Sequence, residues 1–395
     1  MPEHSPRALP EGDPFGADTL PYGVFSTPDA PEHRRIGVRY GAYVLDAAAV
    51  AAAHGSAYAD LLDQPVLNPL MAAGRPVWQA VRAAIRGWLD DGQADDSFLP
   101  LDEVTLHLPF EVADYVDFYA SEHHATNVGR IFRPDGDALT PNWKYLPIGY
   151  HGRAGTVVVS GTDVLRPNGQ RRTSDGPVFG PSTRLDIEAE VGFVVGTPAP
   201  ANTPVPLTDF RTHVFGVCLV NDWSARDIQA WEYVPLGPFL GKSFATSVSA
   251  WITPLDAFDE ARTAPPERTY PLLPYLDDST VEPGGIDLRI EVTINGETVS
   301  RPPFASMYWT AAQQLAHMTV NGASLRTGDL FASGTVSGPE PDQLGCLLEL
   351  TRGKGPWLED GDVVTLTAWA PGPNGARIGL GEVTGRIVPA RSDAP

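Results

Sequence analysis

Cysteine is nearly missing from this 395-residue chain, which holds only Cys218 and Cys346. Two isolated thiols build neither a disulfide framework nor a thiolate zinc site, so a bridge-stapled secreted scaffold and a zinc knuckle are both excluded. Both are expected as small buried hydrophobes. Basic charge is scarce as well: 28 Lys and Arg stand against 49 Asp and Glu, for a formal net charge of −21. Such a chain cannot displace the counterions of a phosphate backbone, which removes nucleic acid as a partner. Long apolar runs are absent, since no stretch approaches the ~20 residues of a membrane helix. The opening Met1-Pro2-Glu3-His4-Ser5-Pro6-Arg7 has no apolar core like that of a secretory signal. A cytoplasmic protein with no membrane partner is the expectation. P-loop spacing and a Gly-x-Ser-x-Gly elbow are missing too, which sets aside a nucleotide cradle and a serine nucleophile.

What the chain does have is glycine and proline, 39 of each, with 42% hydrophobic residues. That balance favours many short strands joined by tight turns, with enough apolar material for two domains. Residues 1 to about 20 read as an extended lead-in without periodicity. Strand-like pieces follow within 22–45, then helices over 47–53 and 76–89, the second with Val81, Ile85 and Trp88 or Leu89 at helical spacing. The acidic run 90–96 breaks the pattern as a solvated loop, and a small α+β domain is expected to end near residue 110. Beyond it, strand signals recur at 156–160, 185–195, 214–220, 247–253, 288–294, 329–333, 346–351, 363–369 and 383–388. Asn295-Gly296 predicts a hairpin, because both residues tolerate the positive φ of a type I′ turn. Helices are expected over 225–233 and 309–318, and the Pro-rich stretch 259–286 reads as a surface excursion. The fold class is β-rich α+β with a large mixed sheet that carries its site in loops.

Three acids alternate in Asp186-Ile187-Glu188-Ala189-Glu190. Period two places Asp186, Glu188 and Glu190 on one face of a strand. At roughly 6.6 Å spacing two full charges repel by about 2.5 kcal/mol at an effective dielectric near 20. Water on an exposed face or a bound cation would each relieve that. Asp222 follows the apolar 214–220 strand at the mouth of a sheet. With Asp117, Glu188 and Glu190 it makes four carboxylates on three separate elements, a set that suits a hard cation such as Ca²⁺ or Mg²⁺ rather than zinc. Ser224 and Asp227 have capping-box spacing at the start of a helix. Arg226, Gln229 and Tyr233 then share a stripe that either holds a small carboxylate or keto group or is simply a solvated face. His123 and His124 supply a candidate base, and Glu349, in the strand pattern 347–350, is a candidate partner to orient it. Arg133 and Tyr150 read equally as ligand contacts or as structure. Lys242 lies in a Gly-Pro-rich loop where backbone can approach a ligand.

Several blocks in fixed order carry a more specific signal. Asp117-Phe118-Tyr119, His124-Ala125-Thr126-Asn127-Val128-Gly129, Pro147-Ile148-Gly149-Tyr150-His151-Gly152-Arg153, the run from Asn221 through Lys242, Met307-Tyr308-Trp309-Thr310 and Ser333-Gly334-Thr335-Val336-Ser337-Gly338 together closely resemble the fumarylacetoacetate hydrolase family. The likeness covers roughly residues 105 to 395, and the N-terminal part more loosely. It implies an SH3-like barrel domain over residues 1–110, a catalytic β-roll over 111–395, and a homodimer. It also implies hydrolysis of 4-fumarylacetoacetate, a small-molecule diketo acid, to fumarate and acetoacetate, the last step of tyrosine and phenylalanine catabolism. Carried onto this chain, Asp117, Glu188, Glu190 and Asp222 match Ca²⁺ ligands. Lys242 and Thr246 match positions around a structural Mg²⁺ near Asp222. His124 matches a general base with Glu349 behind it, and Arg226, Gln229 and Lys242 match oxyanion donors. Tyr119, Arg133, Gln229, Tyr233 and Thr335 match substrate contacts, with Tyr150 added to them.

Two departures stand out. Glu122 adds a negative charge beside the proposed base, where it would raise the pKa of His124, and residues 259–305 match less well. Two other classes compete with the hydrolase. One is a decarboxylase, isomerase or hydratase of related keto acids, against which the His124 and Glu349 pair speaks. The other is a calcium-dependent binding module, which leaves Arg226, Gln229, Lys242 and the histidines without a task.

Overall fold

Short apolar strands separated by turn residues join, in the computed structural model, into one sheet of thirteen strands. The structure describes residues 9–392, so residues 1–8 of the expected lead-in lie outside it. From one edge the strands run Phe98–Pro100, Tyr43–Asp46, Ala30–Tyr40, Tyr22–Thr27, Trp251–Pro254, Val214–Asp222, Ala189–Val195, Asp329–Ala332, Asp114–Phe118 and Gly149–His151. A second sheet of five strands is built on the long pair Val363–Pro371 and Arg377–Val388.

The Val214–Asp222 strand is buried at every position, as a strand with both faces covered must be. Val217 and Leu219 enter one apolar core, which also holds Val364, Leu366, Leu380 and Val383 of the second sheet. Cys218 and Val220 enter the other core, shared with Val24, Val38, Val81 and Ile85 from the N-terminal part. Both cysteines are indeed buried. The sheets meet closely at Gly381, where an added Cβ would stand 2.8 Å from Trp251 Cβ.

The N-terminal strands do not form a separate closed barrel. Tyr22 pairs with Ile252 and Gly23 with Trp251, so the 22–46 strands continue the large sheet, and no closed barrel is found among the described residues. The fold is mixed, sheet-rich α+β, with N-terminal strands that find hydrogen-bond partners in the larger sheet.

Several local expectations hold. The helices are Ala47–Ala53 and Arg75–Asp90, with Val81, Ile85, Trp88 and Leu89 buried on the second. Asn295 (φ 53°) and Gly296 (φ 83°) turn the predicted hairpin. Helices Arg226–Glu232 and Ala311–Thr319 stand where periodicity placed them.

Other features differ for identifiable reasons. The 185–195 strand is interrupted, with Leu185–Asp186 pairing to Ser224–Ala225 and Ala189–Val195 pairing to Val214–Asp222. Residues 347–350 form a helical turn rather than a strand, because Asp186 accepts the N–H groups of Leu347 (2.7 Å) and Leu348 (2.9 Å) and so caps its start. The capping box at Ser224 is not made. Ser224 Oγ donates to its neighbour Asp222 O instead, and Asp227 accepts from Ser182 Oγ and Thr183 N. The helix Glu122–Phe132 and the strand Asp114–Phe118 have no counterpart in the sequence reading, and both carry site residues.

Candidate active site

Strand register brings the acids together. Asp117 lies opposite Ala332 on one side and Tyr150 on the other, Glu190 opposite Val220, and Asp222 opposite Thr246. These positions fall at one end of adjacent strands. Glu188 sits in the break before Ala189, where its N–H donates to Asn221 Oδ1 at 3.2 Å. Carboxylate oxygens of Asp117, Glu188, Glu190 and Asp222 all lie within 4.8 Å of one another, and all four residues are buried.

Two cations answer these charges. Lys242 Nζ pairs with Glu188 Oε2 and lies 2.6 Å from Asp222 Oδ2. Arg226 holds Glu188 Oε1 at 2.8 Å but is shared with Asp186 Oδ2 at 2.9 Å. Thr246 Oγ1 (3.0 Å) and Tyr150 OH (3.1 Å) donate to the two oxygens of Asp222. Glu188 is held below the usual carboxylate range, because Lys242 and Arg226 outweigh its burial. Asp117 and Glu190 are pushed well above it by burial and then by the neighbouring acids. Asp117 Oδ1 and both Glu190 oxygens are buried with no hydrogen-bond partner. Unpartnered buried carboxylate oxygens are costly unless a cation meets them, and an oxygen-only donor set fits a hard divalent ion.

Asp186, grouped with Glu188 and Glu190 by period two, is not part of this cluster. The strand break at 187–188 turns it to the Leu347 and Leu348 N–H groups and to Arg226. There it fixes both the Glu349 turn and the guanidinium, a task that its spacing in sequence did not reveal.

His124 and Glu349, paired as candidates in the sequence, meet in the structure. His124 Nδ1 lies 2.6 Å from Glu349 Oε2, and both side chains are buried. Binding at Nδ1 leaves Nε2 as the ring nitrogen able to take a proton. Burial would raise the Glu349 pKa, but His124 and hydrogen bonds from Asn127 and Ser337 hold it below its ordinary value. The Tyr119 ring stands edge-on to His124, 5.3 Å between centroids. Burial, followed by Glu188 and Glu349, pushes the Tyr119 phenol well up, so it stays a donor. The Glu122 carboxylate is engaged by the Lys144 ammonium.

Arg226 also reaches Gln229 Oε1 at 3.1 Å, while its second terminal nitrogen is buried without an acceptor. Thr335 Oγ1 is likewise buried and unpartnered. Two of the predicted substrate contacts are exposed rather than buried with this centre. Tyr233 caps its helix at 49% exposure, and Arg133 is exposed, its guanidinium donating to Ala138 O at 2.6 Å. The arrangement can therefore hold a divalent cation near a proton acceptor, and it includes buried donors without partners.

Comparison with known proteins agrees over nearly the whole chain. Residues 18–109 match the profile described as fumarylacetoacetase N-terminal, and residues 114–388 match fumarylacetoacetate (FAA) hydrolase C-terminal. Fumarylacetoacetase of Bos taurus is 45% identical over 416 residues, covering 97% of this chain and 98% of that protein. The Homo sapiens fumarylacetoacetase is 44% identical (96% and 97% covered), and the Arabidopsis thaliana one 43% (95% and 96%). Among solved structures, the fumarylacetoacetate hydrolase of the psychrophile Exiguobacterium antarcticum superposes with a TM-score of 0.59 at 19% identity, covering 94% of this chain and all of that one, which supports the fold alone. On these matches the chain belongs to the fumarylacetoacetate hydrolase family.

Proposed function

We propose that this chain hydrolyses 4-fumarylacetoacetate to fumarate and acetoacetate, as the last step of tyrosine and phenylalanine breakdown. One observation carries the chemistry: a buried His124–Glu349 pair at 2.6 Å in the same site as four clustered carboxylates. Identity of 43–45% to fumarylacetoacetases over almost the entire length supports the substrate.

His124 Nε2 takes a proton from water, and the oxygen bonds to the carbonyl carbon beside the fumaryl arm. The carbonyl electron pair moves to its oxygen, where Arg226, Gln229 and Lys242 donate. One such donor contributes about 3 kcal/mol to the transition state. When the adduct collapses, the carbon–carbon bond breaks and its electrons go to the adjoining substrate CH2 carbon, which becomes the methyl group of acetoacetate. The imidazolium returns its proton there, so one water is consumed and two acids leave. Glu349 holds the imidazolium throughout. Asp117, Glu188, Glu190 and Asp222 would hold a divalent cation, which when bound would supply Lewis-acid charge stabilisation to the diketone.

Tyr119, Arg133, Tyr150, Gln229, Tyr233 and Thr335 are assigned to substrate binding, the exposed Arg133 and Tyr233 at its outer ends. Ca²⁺ is assigned to the four carboxylates and Mg²⁺ to the neighbourhood of Asp222, Lys242 and Thr246. The Lys242 ammonium has no lone pair, so only its backbone carbonyl can serve as a ligand. The chain is assigned two domains, 1–110 and a catalytic β-roll over 111–395, a division supported by profile matches that break between 109 and 114. A cytoplasmic homodimer is part of the same reading. Exposed Phe179, Trp231, Val234, Leu236 and Phe239 supply apolar surface for a partner copy.

The test follows loss of diketone absorbance. The protein should consume 4-fumarylacetoacetate in a cation-dependent way, and His124→Ala should abolish turnover while calorimetry still detects Ca²⁺ binding. Undiminished turnover by that variant would overturn the mechanism.

A further inference from the structure

Glu349 accepts more hydrogen bonds than its partnership with His124 requires. Its Oε2 takes His124 Nδ1 at 2.6 Å, Ser337 Oγ at 2.8 Å and Cys346 Sγ at 3.2 Å, and its Oε1 takes Asn127 Nδ2 at 2.9 Å. Oε2 thus meets three donors with its two lone pairs while Oε1 meets one, so the carboxylate cannot turn without breaking a bond.

Ser337 differs from the other donors because it holds both members of the pair. It is fully buried, and while Oγ donates to Glu349 it accepts from Gly345 N at 3.1 Å. Its carbonyl oxygen accepts from Ser121 Oγ at 3.2 Å and from Ser306 Oγ at 2.8 Å. Ser121 is the N-cap of Glu122–Phe132, and its Oγ accepts from His124 N at 3.2 Å. One residue thus orients the carboxylate through its side chain and the imidazole-bearing helix through its backbone. The Ser121 hydroxyl relays the second contact, its proton directed at Ser337 O and its lone pair at His124 N.

We propose that Ser337 is a positioning residue for the water-activating base, setting Glu349 and His124 together so that Nδ1 stays bound and Nε2 stays free. This rests on the reading of His124 as the base. Positioning through Glu349 has a signature that mere structural support lacks: it vanishes once Glu349 no longer works.

The experiment is a double-mutant cycle in the full-length, cation-loaded protein. It measures kcat and KM for 4-fumarylacetoacetate, with thermal midpoints recorded alongside. Ser337→Ala should lower kcat about tenfold with KM changed by less than about twofold, the size expected for one lost hydrogen bond to a charged group. In a Glu349→Gln background the same substitution should change kcat by less than about twofold. If Ser337→Ala fails to fold, Ser337→Cys, a near-isosteric weaker donor, takes its place in the cycle. An equal kcat loss in both backgrounds, or no loss at all while His124→Ala is inactive, would overturn the positioning role. Full activity of His124→Ala would instead overturn the base assignment beneath it.

Discussion

Lys242 Nζ lies 2.6 Å from Asp222 Oδ2 and also closes on Glu188, so one ammonium spans two of the four clustered acids. Burial would depress its pKa, but Asp222 and Glu188 outweigh that and hold it well above the usual lysine value. Lys242→Met keeps the stem and removes the charge. Breaking a buried pair from one side costs about 3–5 kcal/mol, mostly by leaving the partner charge unanswered. Urea unfolding of the cation-free protein should show a loss of that size. With saturating Ca²⁺ the loss should be smaller, because the ion answers the same carboxylates. Equal losses in both conditions would mean that lysine and cation do not share those charges.

Proton and cation compete for the same oxygens. In the cation-free protein, burial and the neighbouring acids raise Asp117 and Glu190 well above their ordinary values of 3.8 and 4.5. A raised folded value means that their contribution to stability is full below those ordinary values and is lost as pH rises through the folded ones. Cation affinity runs the other way, since only ionised acids ligate, and binding must release protons. The rise in Tm on adding Ca²⁺ should therefore grow as pH climbs above those ordinary values and through the raised folded ones. Calorimetry in buffers of different ionisation enthalpy should detect the released protons. A Tm increment independent of pH would count against this competition.

The acids themselves were legible from sequence, because four carboxylates near apolar strands are hard to leave unanswered. Their grouping was only partly so. Period two put Asp186 with Glu188 and Glu190, but the interrupted strand sends it to the N–H groups of Leu347 and Leu348, about 160 residues away. The same contact explains why Leu347-Leu348-Glu349-Leu350 is a helical turn: its four residues suit a strand equally well, and a distant carboxylate decides. The Glu122–Phe132 helix was hidden because Thr126, Asn127 and Gly129 are weak helix formers. It persists through the Ser121 cap and the buried face of His124 and Ala125. The open sheet rests on Tyr22 pairing with Ile252, a register that no local pattern encodes.

Arg226 is used in three directions at once. Nε meets Asp186 Oδ2 at 2.9 Å, one terminal nitrogen meets Glu188 Oε1 (2.8 Å) and Gln229 Oε1 (3.1 Å), and the other is open. A lysine carries the same charge but cannot reproduce that fork. Arg226→Lys should lower kcat by about a hundredfold or more, as loss of one oxyanion donor does. The check is steady-state kinetics by diketone absorbance. An activity within about threefold of the parent would show that charge alone suffices there.

Gly334 stands in the left-handed region (φ +75°), and a Cβ there would come within 2.0 Å of Phe118 O. Phe118 ends the strand that carries Asp117 and precedes Tyr119, so any shift that relieves the clash moves a cluster acid and the ring beside His124. Gly296 provides the control: its φ is +83°, but an added Cβ would have nothing within 4 Å. Gly296→Ala should therefore show only the left-handed backbone cost, about 1–2 kcal/mol, with unchanged activity. Gly334→Ala should add the cost of displacing backbone, about 1–3 kcal/mol more, and lose Ca²⁺ affinity as well. Thermal melts and calorimetric Ca²⁺ titration of the two variants separate these costs. Matching behaviour of both would mean that the strand bearing Asp117 yields freely at Phe118, and that the cluster is not held by this close approach.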